Sequence, residues 1–277
     1  NKVANKLRVS ISKYAIIPIS PNAGLISWVT GANTMHQLVM DQRRSNGMSL
    51  WAENEEIQSF VGDIFDALNS CQKREIWNLV APNFPATELR DMFWEKAQDA
   101  VTWIKVVDQF VVSTALMSMA GYVIGLGDRH PCNIMIQRQT GRVVHIDFGD
   151  SFEVAMNRDR MPEKVPFRLT RMLVNAFGVS RIEGPFRNTC ETILRVLRNN
   201  KSSITAQLEI FVHEPIFVNR DNGGTLDRII EKLSGNDPKS DDSTKELTIE
   251  EQVNNLIEIA SDPSRYVLHY IGWCQFW

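Results

Sequence analysis

The spacing of apolar residues changes several times along the chain, and each change marks an element. Residues 13–19 (KYAIIPI) and 25–29 (LISWV) are short apolar runs separated by Ser20-Pro21-Asn22-Ala23-Gly24, which predicts two strands and a turn. Thr34-Met35-His36-Gln37 has the composition of a capping box, so a helix is expected to start there. Ile57, Phe60, Val61, Ile64, Phe65 and Leu68 recur at helical spacing and predict one continuous amphipathic helix, with a second helix following to about Leu79. From about Thr102 to Tyr122 the chain is apolar on nearly every side, as a buried helix requires.

Two short β segments, 134–136 and 143–146, flank Gln137-Arg138-Gln139-Thr140-Gly141-Arg142 and predict a hairpin. If Gln137 pairs with Arg142, paired positions sum to about 279. Asn133 then lies opposite Ile146 and next to Asp147. After Pro166 the pattern predicts helix to about Phe217, a turn-rich break at 219–224 and a charged linker at 235–246. Thr248-Ile249-Glu250-Glu251 is a second capping box, opening a helix through Ala260. The last twelve residues carry Tyr266, Tyr270, Ile271, Trp273, Phe276 and Trp277, too much apolar surface to leave free in water.

With 277 residues and 43% hydrophobic content, the chain can bury one large core with a small appendage. A net charge of −3 excludes nucleic-acid binding by bulk electrostatics. Cys71, Cys132, Cys190 and Cys274 form no CxxC pair, which argues against a zinc site or disulfide scaffold and suits a reducing cytoplasm. The uncharged run 109–127 approaches spanning length but is interrupted by Ser, Thr and Gly, so a buried core helix is expected rather than a membrane span. The chain opens on Asn1 with no signal-peptide pattern and reads as a piece of a longer polypeptide.

The chemistry is concentrated in Gly127-Asp128-Arg129-His130-Pro131-Cys132-Asn133 and His145-Ile146-Asp147-Phe148-Gly149. The hairpin register brings the Asn133 amide and the Asp147 carboxylate side by side, and both are hard oxygen ligands of the kind magnesium takes. Asp128 precedes them on a loop. Phosphoryl transfer needs an amide and a carboxylate for the metal ions and a separate carboxylate to orient the attacking hydroxyl. Asp128, Asn133 and Asp147-Phe148-Gly149 keep the order and spacing that protein kinases use, although Asp-Arg-His stands here where ordinary protein kinases have His-Arg-Asp. The bland alternative is a hairpin whose polar residues cap its ladder. His145, on a strand, reads either as catalytic or as a structural histidine.

GLGDRHPCNIMI, HIDFGDSFEVAM and PEKVPFRLTRML closely resemble the catalytic and activation loops of the phosphatidylinositol 3-kinase-related protein kinases, and most of all their target-of-rapamycin branch. YIGWCQFW is similar to the FATC segment ending such proteins, and KYAIIPISPNAGLISWV resembles their last N-lobe strands and hinge. The resemblance implies an α+β fold: a mostly helical kinase C-lobe with a small β hairpin at the catalytic site, plus remnant N-lobe strands. It divides the chain into strands and hinge (1–30), C-lobe (31–234), linker (235–246) and FATC segment (247–277). Within the C-lobe lie an insertion at about 48–100, a catalytic loop at 125–133 and an activation loop at 147–168.

Residue by residue, the resemblance implies Asp128 as catalytic aspartate and His130 as a transition-state stabiliser. It implies Asn133 and Asp147 as ligands of magnesium, or of manganese in its place. ATP would meet Ser27, Trp28 and Val29 at the hinge, with Val29 backbone on the adenine edge and Trp28 stacked on it. Thr34, Met135 and Ile146 would line the adenine pocket and Tyr14 its inner wall. Read without the resemblance, Tyr14, Trp28, Met135 and Ile146 are ordinary core residues.

No glycine-rich phosphate loop, β-strand lysine or glutamate partner occurs in the chain, so the isolated piece is expected to be inactive. Val267, Leu268 and His269 stand where a second tail cysteine is common, which leaves Cys274 without a redox partner. A phosphoinositide kinase is the main rival reading. The activation loop balances Asp150, Glu153, Asp159 and Glu163 against Arg158, Arg160, Lys164 and Arg168 without a basic run, which favours a protein substrate. A pseudokinase, or another member of the kinase-related family, is the remaining alternative. Expected partners are protein substrates and the small β-propeller and scaffold subunits of a target-of-rapamycin complex. The expected location is cytoplasmic and peripheral on endomembranes, with occasional membrane contact through the aromatic tail.

Overall fold

Short strands frame one end of a helical body in the computed structural model, which describes residues 9–212, 224–236 and 246–277. Strands β1 (Ile16–Ser20) and β2 (Ala23–Ile26) pair antiparallel across Pro21-Asn22; the tighter turn draws Ala23 and Gly24 into β2 and leaves Ser27, Trp28 and Val29 of the expected strand outside it. A second sheet has the order β3-β4-β5, from Ala32–Thr34, Ile134–Gln137 and Val143–His145. Its hairpin has the predicted register: Ile134 faces His145, Met135 faces Val144, and the Ile146 N–H donates to the Asn133 carbonyl at 3.1 Å. Strand β3, three residues with no apolar alternation, is not visible in the sequence pattern. It sets Thr34 opposite Met135.

Thr34 then caps helix α1 (Met35–Ser45), its hydroxyl accepting the Gln37 N–H at 3.1 Å. The reciprocal half of the expected box is absent, because the Gln37 side chain turns to Asp41 at 2.7 Å.

The insertion corrects the sequence reading. Helix α2 (Ala52–Val61) stops at Gly62, and a 3-10 turn, Gly62–Ala67, replaces the expected continuation. Gly62 sits at φ 60°, ψ −145°, a backbone conformation nearly reserved for glycine. The break keeps Ile57 and Phe65 buried but turns Phe60 and Ile64 to solvent. Helices α3 (Ser70–Val80) and α4 (Glu88–Lys96) complete the insertion. It is tied to α1 by a buried charge cluster: the Arg43 Nε donates to Glu88 at 2.8 Å and its Nη1 to Glu53 at 2.6 Å.

Helix α5 (Ala100–Ile124) is long and apolar enough to cross a membrane by length and composition. Here it is the central core helix, with Phe110, Ala115 and Met119 fully buried. The stretch after Pro166 is not one helix. It is irregular to Thr170, then forms α6 (Arg171–Ala176), a non-helical interval at 177–184, α7 (Pro185–Asn199) and α8 (Lys201–Val212). Pro185 can restart a helix only in its first turn, where its missing N–H costs nothing. The expected helix end near Phe217 and most of the turn-rich break lie outside the described residues.

Helix α9 (Thr225–Ser234) precedes the expected linker, of which residues 237–245 lie outside the described residues. Helix α10 (Ile249–Ser261) has the full reciprocal box between Thr248 and Glu251. After the short α11 (Pro263–Tyr266), the tail fills a second core: Tyr266, Trp273 and Phe276 pack with Ile57, Phe65 and Trp77, while Trp277 joins the main core and stacks on His36.

Candidate active site

The open end of the β4–β5 hairpin gathers Asn133, Ile146 and Asp147, and Arg129 locks them together. Its guanidinium, 3% exposed, donates to the carbonyls of Gly127 (2.7 Å), Ile146 (2.8 Å) and Asp147. One buried fork thus fixes the catalytic-loop backbone against the start of the activation loop. The Asn133 side-chain N–H donates to the Asp128 carbonyl at 3.0 Å, which leaves its amide oxygen free. Asp147 is solvent-exposed, and one of its oxygens accepts the Gly149 N–H at 3.1 Å. An amide and a carboxylate at adjoining positions of one hairpin end supply hard oxygens of the kind a divalent ion takes, with phosphate and water completing its shell.

Asp128 adopts φ 57° and is half-buried. Its N–H donates to Glu163 at 2.7 Å, and burial pushes the Glu163 carboxyl up to about 7, an effect that the charge of Asp128 reinforces. His130 accepts the Cys132 N–H on Nδ1 at 3.2 Å, so the ring proton belongs on Nε2, which faces an Asp128 oxygen at 3.8 Å. Burial lowers the His130 pKa, and Asp128 opposes that shift. The imidazole is therefore neutral at physiological pH and presents an N–H.

Burial pulls His145 down to about 3, with Arg129 adding to the effect, and no described group bonds its Nδ1. A neutral imidazole so depressed is a poor proton acceptor.

Thr34 and Met135 sit opposite each other on adjacent strands, with Ile146 at the hairpin mouth, so these three predicted pocket residues share one sheet end. Tyr14 comes near the same end. Burial raises its pKa, with Arg129 and Asp147 both close enough to act on the hydroxyl. Ser27 is fixed to Ala15, donating its N–H at 2.8 Å and accepting on its hydroxyl at 2.8 Å. Val29 is half-buried and Trp28 is 84% exposed, so the reading of Trp28 as plain core fails.

The tail is expected from its aromatics to be buried against the kinase lobe and to brace the activation loop; the contacts that do so, made through arginines, are not legible in the sequence. Arg168 donates to the carbonyls of Trp273 at 2.6 Å and Cys274 at 2.7 Å and lies over the Trp273 ring. Arg171 reaches the Phe276 carbonyl at 3.0 Å, and the Lys164 N–H donates to His269 at 3.1 Å. The part that was legible is that residues 263–277 contain no Asp or Glu, so arginines facing them meet no carboxylate side chain there.

Residues 1–221 match the family described as phosphatidylinositol 3- and 4-kinase, and residues 246–277 match the FATC domain. Serine/threonine-protein kinase tor1 of Schizosaccharomyces pombe is 36% identical over 324 residues, covering 98% of this chain and 14% of its own length. Serine/threonine-protein kinase TOR of Arabidopsis thaliana is 47% identical over 208 residues, covering 75% of this chain and 8% of its own. The solved FAT and kinase domain of CtTel1 superimposes with a TM-score of 0.82 at 29% identity, covering 99% of this chain and 19% of that one. The chain thus spans 14% or less of the length of these two curated relatives.

Proposed function

The chain belongs to the phosphatidylinositol 3- and 4-kinase family, and from that premise we propose that it carries the catalytic lobe of an ATP-dependent serine/threonine protein kinase of the target-of-rapamycin type. The observation that carries this reading is the juxtaposition of Asp128, Asn133 and Asp147 around one hairpin end, clamped by Arg129. In the proposed reaction, Asp128 accepts the proton of a Ser or Thr hydroxyl as its oxygen bonds to the γ-phosphorus and the bond to ADP breaks. His130 offers its Nε2–H to the developing charge. Asn133 and Asp147 would hold the divalent ion, magnesium or manganese, which supplies charge neutralisation on the phosphates when bound. Thr34, Met135 and Ile146 would line the adenine pocket. Ser27, Trp28 and Val29 would form the hinge and Tyr14 the inner wall.

A protein substrate is favoured over an inositol lipid because the activation loop has no basic run, with Arg158 paired to Asp150 and Arg168 turned to the carbonyls of Trp273 and Cys274. For partners we favour the β-propeller and scaffold subunits of a target-of-rapamycin complex, with the insertion as docking surface. Its Phe60, Ile64 and Leu79 are each more than half exposed. A cytoplasmic location, peripheral on endomembranes, accompanies that reading. Membrane contact through the tail is the weakest part of it, since Tyr266, Trp273, Phe276 and Trp277 are buried and would have to leave the core.

The test is radiolabel transfer from ATP to a Ser/Thr peptide by the full-length protein, with Asp128→Asn as control. The expected loss is about 10²–10⁴-fold with ATP affinity retained. Wild-type transfer by Asp128→Asn, or transfer only to phosphoinositide, would overturn the reading.

A further inference from the structure

Asp128 is held from an unexpected direction. The Tyr270 hydroxyl, carried by the tail, donates to Asp128 Oδ1 at 3.4 Å across 142 residues of sequence. We propose that Tyr270 is a positioning residue for Asp128, fixing its carboxylate so that the other oxygen meets the substrate hydroxyl; the proposal rests on the kinase reading above.

The surroundings explain why Asp128 needs holding. Its left-handed backbone is uncommon for a residue other than glycine and persists only where neighbours over-determine it. Glu163 takes its N–H and Asn133 its carbonyl, so the backbone is fixed on both sides. The carboxylate is less constrained. His130 Nε2 lies 3.8 Å from Oδ2 and Arg158 Nη1 4.0 Å from Oδ1, both farther than the Tyr270 hydroxyl, whose 3.4 Å contact is itself long for an O–H···O bond. Arg129 donates to the carbonyls of Gly127, Ile146 and Asp147 rather than to this carboxylate. Among the described residues Tyr270 makes the shortest side-chain contact to the carboxylate, and it is to Oδ1, so Oδ2, with His130 Nε2 at 3.8 Å, is the oxygen left for a substrate hydroxyl.

Tyr270 is itself placed firmly. The residue after it donates its N–H to Asp66 at 3.0 Å, and the residue before it accepts from the activation loop at 3.1 Å. Two residues on, Gly272 leaves room for the ring: a Cβ there would come within 2.7 Å of Tyr270 Cε2. Burial raises the phenol pKa, and Asp128 and Glu163 raise it further, so the hydroxyl keeps its proton and donates. The arrangement gives the FATC segment a direct part in the active site, beyond bracing it.

Tyr270→Phe keeps the ring and removes only the donor. In the full-length protein it should lower kcat about ten-fold, the scale of one hydrogen bond to a charged group. KM for ATP and the melting temperature should be unchanged. In an Asp128→Asn background the same change should cost nothing more, because its effect passes through Asp128. Full kcat in Tyr270→Phe, a loss that multiplies with Asp128→Asn, or a loss accompanied by a lowered melting temperature would each overturn the proposal. Wild-type activity of Asp128→Asn alone would instead sink the kinase reading, so the two failures are distinguishable.

Discussion

The side-chain amide of Asn133 donates to the main-chain carbonyl of Asp128 at 3.0 Å, so the residue proposed as a metal ligand also orients the catalytic loop. Asn133→Ala removes both functions, and Asp147→Asn removes the neighbouring anionic ligand. Each should lower turnover in the full-length protein at least about 100-fold at saturating magnesium, the scale of losing one electrostatic stabiliser. Steady-state phosphorylation of a Ser/Thr peptide checks this, and near-normal rates in either variant would count against the metal assignment.

Gly62 divides what the sequence pattern presents as one helix. Its Cβ would meet nothing within 4 Å, so replacing it tests backbone conformation alone. Gly62→Ala should destabilise the protein by about 1–3 kcal/mol, the cost of a side chain in a glycine-only region. A rise in stability on chemical denaturation would mean that the continuous helix is accessible after all.

Gly62 also shows where sequence reading stops. The helical spacing of Ile57, Phe60, Val61, Ile64, Phe65 and Leu68 is real, but period alone cannot say that the backbone leaves the helix midway. The hairpin register was legible because pairing Gln137 with Arg142 across the turn fixes every other pair, and the Gln137 N–H does donate to the Arg142 carbonyl at 2.9 Å. Asp128, Asn133 and Asp147 followed from it, being local in sequence. Strand β3, the Arg43–Glu53–Glu88 cluster and the reach of Tyr270 to Asp128 were not legible. Each depends on partners far apart in the chain, chosen by packing rather than by spacing.

His269 gives the tail a pH dependence. Its Nε2 accepts the Lys164 N–H, and burial, followed by the charge of Arg168, pulls its pKa down to about 3 from an ordinary 6.5. The unfolded chain takes up a proton as pH falls through 6.5, whereas the folded chain stays neutral to about 3. Its contribution is therefore whole above 6.5 and is lost progressively on acidification, by up to about 1.4 kcal/mol per pH unit. His145 acts in the same direction. His269→Gln should melt lower than wild type at neutral pH yet lose less stability between pH 6.5 and pH 4. Parallel melting curves across that range would refute the assignment.

The end of the tail should matter to catalysis without touching nucleotide. Phe276 stacks on Trp77 with ring centroids 4.7 Å apart, and its carbonyl accepts from Arg171 at 3.0 Å. Trp277 stacks on His36 at 5.5 Å and lies under the Arg43 guanidinium at 5.1 Å. Arg43 in turn holds Glu53 and Glu88, so Trp277 covers the buried charge cluster that anchors the insertion to α1. Fully buried large aromatics cost about 3–5 kcal/mol each on truncation to Ala. Removing Phe276 and Trp277 together should destabilise the lobe by several kcal/mol and loosen the carbonyl contacts of Arg171 and, beside it, Arg168. The activation loop would then lose its brace, and kcat should fall while KM for ATP changes little. Trp277→Phe, which keeps a ring under Arg43, should recover most of the stability. Thermal melting with a peptide kinase assay on the truncated full-length protein decides the matter: an unchanged melting temperature with full activity would make the tail a dispensable appendage, and its aromatics would need some other reason to be buried.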